Sequence, residues 1–138
     1  MAFSAFIVRL TAAVFAAYGV GFILAPAWMA DLSTGAVPAT ASGLIDMRAT
    51  YGGLSLAVGV LLWRLAASPE TLRAGLRSVI VLMVGMAGGR LVGMALDGPA
   101  NALMWTYLAA ECVLTVIAAW LLARADTTTR HKETTRGR

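Results

Sequence analysis

Four apolar stretches, each about as long as a membrane-spanning helix, alternate with short polar connections along this chain. A helix that crosses a bilayer needs roughly 20 mostly apolar residues. The first stretch is expected from about Phe3 to Trp28, the second from Leu44 to Trp63, the third from Ser78 to Leu96 and the fourth from Asn101 to Leu122. Between the first two lies MADLSTGAVPATASG, rich in small and turn-forming residues. The second and third are joined by RLAASPETLRAGLR, short and basic, and the third closes on Asp97-Gly98-Pro99, a strong turn signal. The pattern predicts an all-α, integral membrane, four-helix antiparallel bundle over residues 1–123. After it, residues 124–138 (RADTTTRHKETTRGR) read as a disordered basic tail, too poor in apolar side chains to fold alone.

Composition sharpens this reading. Of the 138 residues 59% are hydrophobic and only 13% charged, with a mean hydropathy of +0.78, whereas soluble domains run near 45–50% apolar and about 25% charged. The single cysteine, Cys112, excludes an intramolecular disulfide and any multi-cysteine metal site, and the single histidine, His131, lies in the tail. No metal or cofactor is therefore expected. The net charge of +4 does not point to nucleic acid, because the basic residues gather at helix ends and in the tail. Arg64, Arg73 and Arg77 sit in the second connection, and Arg124, Arg130, Lys132, Arg136 and Arg138 follow the fourth stretch; the other two connections hold no Lys or Arg. Cytoplasmic loops carry the excess of positive charge, so both termini are expected in the cytoplasm. Trp28 and Trp105 then fall near one interface, Trp63 and Trp120 near the other. A signal peptide cleaved at Ala25-Pro-Ala27 is the competing reading. The residues before Arg9 are too apolar for a basic leader, and the first helix is expected to be retained.

Small residues recur at helical spacing: Gly85, Gly89 and Gly93 on the third span, Ala49, Gly53 and Ala57 on the second, Ala13, Ala17 and Gly21 on the first. Within lipid, close backbone approach across small residues drives helix packing. These stripes are expected to pack the four helices against each other; a homodimer through Gly85, Gly89 and Gly93 is the alternative.

Charges inside apolar spans are the chemical lead. Such residues normally face the protein interior and pair with one another. At about 1.5 Å of rise per residue, Arg48 lies roughly 6 Å and Arg90 roughly 9 Å inside the outer ends of their spans, with Glu111 about 15 Å along the fourth from Asn101. Arg48, Tyr51 and Ser55 share one face of the second helix, and Tyr107, Glu111 and Thr115 one face of the fourth. Arg48, Tyr51, Arg90, Tyr107 and Glu111 are expected to line one polar pocket, with Asp46 and Asp97 at its rim. Two arginines against one deep carboxylate leave excess positive charge, which an anionic ligand would relieve. The bland alternative is an ion-pair network that fixes helix register.

The motifs Arg48-Ala-Thr-Tyr51-Gly52-Gly53, Gly89-Arg90-Leu91 with Asp97-Gly98, and Trp105 followed by Glu111 resemble a bacterial domain-of-unknown-function family of small four-helix integral membrane proteins. The resemblance covers the chain to about Leu122. It implies the fold and the same polar positions, and no activity. The expected protein is a multi-pass component of the bacterial inner (cell) membrane, more a binder than an enzyme, whose partners are the lipid bilayer and a small amphipathic or anionic molecule, lipid or quinone-like. Three other readings stand beside it: a proton-coupled exporter using Glu111, a membrane-embedded isomerase or hydrolase with Glu111 as base, and a small partner subunit.

Overall fold

The computed structural model describes residues 2–136 along the backbone and residues 2–125 with their side chains. It is all-α, with no strand among the described residues. Helix α1 spans Ala2–Leu24 and α2 spans Pro26–Thr34. Helix α3 spans Ala41–Leu65 and carries a π-helical turn at Arg48–Gly53. Helix α4 spans Pro69–Leu96, and α5 spans Ala102–Arg136. Four of these, α1, α3, α4 and α5, are long and apolar enough to cross a membrane. All four tryptophans are exposed, Trp28 and Trp105 toward one end, Trp63 and Trp120 toward the other. The expected disordered tail, 124–138, lies outside the fully described residues apart from Arg124 and Ala125.

Two boundaries differ from the sequence expectation. The first apolar stretch is not one helix to Trp28. Pro26 has no N–H to continue α1, so the chain breaks at Ala25 and restarts with Pro26 in the first turn of α2. Much of the expected loop is thus helical. It ends at Gly35, whose φ of 75° is left-handed and whose N–H bonds back to the Asp31 carbonyl at 2.8 Å. Helix α4 likewise starts at Pro69, well before Ser78. Ser68 caps it by accepting from the Thr71 N–H, Pro69 takes the first position and Glu70 meets the positive end of the helix dipole. The turn at Asp97-Gly98-Pro99 is as expected, with Gly98 at φ 104°.

The helices pack as two pairs, α1 against α3 and α4 against α5. The pairs are joined through a hydrophobic core at the end where α1 begins. Ile7, Val8 and Ala12 of α1 meet there with Leu62 and Ala66 of α3, Leu72, Leu76, Val79 and Met83 of α4, and Ala118 and Leu121 of α5. Arg9 fastens the same end, donating to the Ala66 carbonyl at 3.3 Å with its guanidinium 5.9 Å from the Trp63 ring centroid. Toward the other end the packing changes. Beyond Met83 no residue of α4 is buried, and burial is limited to a few positions such as Phe22, Ala30, Leu108 and Glu111.

The glycine stripes divide sharply. An added Cβ at Gly59 would sit 2.8 Å from the Ala12 carbonyl oxygen and at Gly19 2.5 Å from the Leu56 nitrogen, so the backbones of α1 and α3 nearly touch. At Gly85, Gly88 and Gly89 an added Cβ would meet nothing within 4 Å. The expectation that the Gly85, Gly89, Gly93 stripe packs against the protein's own helices is overturned: the face of α4 that meets α5 and the core is a different one.

Candidate functional site

A polar and aromatic layer lies between the two helix pairs in the loosely packed half. Its centre is Arg90 of α4 and Glu111 of α5. Arg90 donates from Nε to Glu111 Oε2 at 3.2 Å and from Nη2 to Oε1 at 2.7 Å, a bidentate fork matched to the planar carboxylate. The side chains are 17% and 5% exposed, respectively. Glu111 is held where α5 is regular: Thr115, one turn on, donates its hydroxyl to the Glu111 carbonyl at 2.7 Å, which keeps a polar side chain satisfied within the helix.

The third nitrogen of the guanidinium is less well served. Arg90 Nη1 points at the Met104 thioether, 2.9 Å away, and sulfur is a weak acceptor. The Tyr107 ring lies beneath the same guanidinium, with its centroid 5.1 Å from Cζ. Met104, Tyr107 and Glu111 follow one another at steps of three and four, so one face of α5 supplies acceptor, ring and carboxylate. Asn101 sets the start of that face. Its Oδ1 accepts from the Met104 N–H at 2.9 Å, while its Nδ2 donates to the Ser33 carbonyl of α2 at 3.2 Å.

The α1–α3 pair contributes aromatic rings. Tyr18 packs on Phe22 with centroids 4.8 Å apart, and Phe22 on Tyr51 at 5.3 Å. Tyr18 lies within electrostatic reach of Tyr51, Tyr107 and Arg90, so all three tyrosines of the chain border the layer. No other described residue bonds any of their hydroxyls.

Arg90, Tyr107 and Glu111 are thus in direct contact, and Tyr51 joins them through Phe22 and Tyr18. Arg48 does not point at Glu111. Its Nη1 donates to the carbonyls of Ile23 and Leu24, which the break before Pro26 leaves without their usual helical partners. Arg48 therefore caps α1 from the neighbouring helix, and its charge sits against the negative end of the α1 dipole. The α-helical spacing that aligned Arg48 with Tyr51 and Ser55 fails because the π turn intervenes: the Leu54 N–H reaches back five residues to the Ala49 carbonyl. Asp46 accepts from the Thr50 hydroxyl on its own helix at 3.3 Å, and Asp97 ends α4 with its N–H on the Gly93 carbonyl; among the described residues neither forms an ion pair. Among the described residues no group of His, Cys, Asp and Glu could hold a metal ion.

Met104, Tyr18 and Phe22 are members of the layer that charge placement does not reveal. Met104 was signalled only by its position seven residues before Glu111, and Tyr18 only by a depth equal to that of Arg90, each six residues inside its helix end.

Residues 3–122 match the family described as "Domain of unknown function (DUF4345)". No curated protein and no solved structure matches the chain. The chain belongs to the DUF4345 family.

Proposed function

We propose, with that family membership as premise, that the protein binds the polar head of a small amphipathic molecule inside the membrane, at Arg90, Glu111 and Tyr107 with Tyr18 and Tyr51 beside them. The observation that carries this is the guanidinium of Arg90, fixed by Glu111 and yet left with one nitrogen facing only a thioether. A fixed, partly exposed donor between two loosely joined helix pairs suits a ligand that enters from the lipid. In this reading the four long helices form an antiparallel bundle in the bacterial inner membrane with both termini in the cytoplasm. The support is the distribution of Lys and Arg, which gathers at the core end and in the tail. The site then opens in the outer half.

Glu111 is a counter-ion here. Both of its oxygens accept from one guanidinium, so the carboxylate is turned toward Arg90 and held there by a bidentate fork. That geometry speaks against Glu111 as the proton-cycling carboxylate of an exporter or the base of an isomerase.

Native mass spectrometry of the detergent-purified protein, wild type beside Arg90→Ala, Arg90→Lys and Glu111→Gln, tests the proposal. An adduct retained by the wild type and lost from folded variants is expected. Wild type without an adduct, and variants that fall apart on purification, would make the pair a device for fixing helix register instead.

A further inference from the structure

We infer that the ligand's head group is uncharged and binds through a carbonyl oxygen, which takes the place of Met104 Sδ at Arg90 Nη1. This rests on the site proposed above and narrows its chemistry. Charge balance comes first. Arg48, the second cation that would have left the layer positive, is withdrawn to the α1 carbonyls of Ile23 and Leu24. What remains is one guanidinium against one carboxylate, both oxygens engaged. An anion brought to this pair would meet Glu111 at close range and no excess positive charge to offset its loss of hydration. A cation would meet a carboxylate already spent on Arg90. An uncharged head avoids both penalties.

Hydrogen-bonding capacity then decides what kind of neutral group fits. Within the layer the group with the poorest partner is a pure donor, the Arg90 Nη1 amino group beside sulfur; the hydroxyls of Tyr18, Tyr51 and Tyr107, none bonded by another described residue, can donate as well. A guanidinium never accepts, so a donor-only head such as an amine or amide N–H leaves Arg90 Nη1 with nothing better than the thioether. A carbonyl oxygen accepts from two donors and is a much stronger acceptor than a thioether. Met104 has the flexible, unbranched side chain that yields its place most readily. The rings of Tyr107 and of the Tyr18, Phe22 and Tyr51 series supply apolar walls for the group that bears the carbonyl. A quinone ring and the ester of a neutral acyl lipid both present such an oxygen.

The test uses full-length protein in nanodiscs and three probes with tails of equal length: decylubiquinone, decyl acetate and decanoate. Binding is read from quenching of intrinsic fluorescence and, for the complexes, by native mass spectrometry. At least one neutral probe is expected to bind. Arg90→Lys, which keeps a charge beside Glu111 and loses the fork, should weaken it about tenfold, while Met104→Leu, which removes the competing thioether and keeps the volume, should bind equally or more tightly. Decylubiquinone alone assigns a quinone head; decyl acetate binding equally assigns an ester carbonyl. Decanoate binding in preference, with the same dependence on Arg90, would overturn the uncharged head and leave the site itself standing. Neutral binding unchanged in Arg90→Lys would place the ligand elsewhere and overturn the inference. No binding of any probe to folded wild-type protein would remove both the inference and the proposed site.

Discussion

Helices α1 and α3 meet through glycines with no room left between them, whereas Gly85, Gly88 and Gly89 in the far half of α4 meet nothing within 4 Å. The contrast extends to everything around them. In the α1–α3 pair, Gly19, Gly52 and Gly59 bring two backbones to the distance at which a single methyl group would collide. Dispersion across that seam, with no polar side chain required, holds the pair. In the α4–α5 pair the far half of α4 buries no residue, and the outstanding contact is ionic, Arg90 against Glu111. One pair is closed by shape and the other by charge. Shape leaves no vacancy for a ligand. Charge leaves a donor whose partner can be exchanged, which is why the candidate site is centred on the second pair, with the first supplying only rings at its edge.

The comparison breaks most severely at the ion pair. Glu111→Ala leaves a guanidinium only 17% exposed without its counter-ion, and loss of one member of a buried pair destabilises by about 3–5 kcal/mol. Unfolding in mixed detergent micelles should register that loss. Replacing both members, as Arg90→Met with Glu111→Leu, should recover most of it, because an apolar pair of similar volume is often neutral or better. A double variant no more stable than Glu111→Ala would show that the pair is needed for assembly as well as for charge balance.

The next largest effect is expected at the shape-closed seam. Gly59→Ala sets a methyl 2.8 Å from both the Ala12 carbonyl oxygen and the Ala16 nitrogen, and these are backbone atoms that cannot turn aside. Overpacking of this kind costs about 1–3 kcal/mol, and the same unfolding assay should show it. Ligand binding at Arg90 should survive in whatever fraction stays folded, since Arg90, Tyr107 and Glu111 stand on the other helix pair.

Arg48 comes third, and it shows where sequence reading stops. The four long apolar helices and the turn at Gly98 were legible, and charge inside apolar stretches drew attention to Arg90 and Glu111, because apolar length and the cost of an unpaired charge leave few alternatives. The role of Arg48 was not, because two local events decide it: the proline break that strands the Ile23 and Leu24 carbonyls, and the π turn that re-aims the helix carrying the arginine. Each is a local backbone event, and the two meet only in the fold, which regular helical spacing cannot foresee. Arg48→Ala should therefore leave ligand binding nearly unchanged. It should cost about 1–2 kcal/mol through lost charged hydrogen bonds, with hydrogen exchange rising at the end of α1. A large fall in ligand affinity would return Arg48 to the site.

The smallest effect should come from Gly88→Ala, and its smallness is the point. The added methyl meets nothing within 4 Å, Gly88 being exposed on the open face of α4. Alanine is favoured over glycine inside a helix by roughly 1 kcal/mol. The protomer's unfolding should thus be unchanged or slightly harder, the opposite sign to Gly59→Ala for the same chemical change. We propose that the stripe Gly85, Gly89 and Gly93 meets a second copy of the chain. A bulkier change, Gly89→Leu, separates that role from folding. The protomer should remain as stable as the wild type, while a dimer seen by mass in mild detergent should disappear. A wild type that is monomeric at every detergent ratio would instead assign the open stripe to lipid.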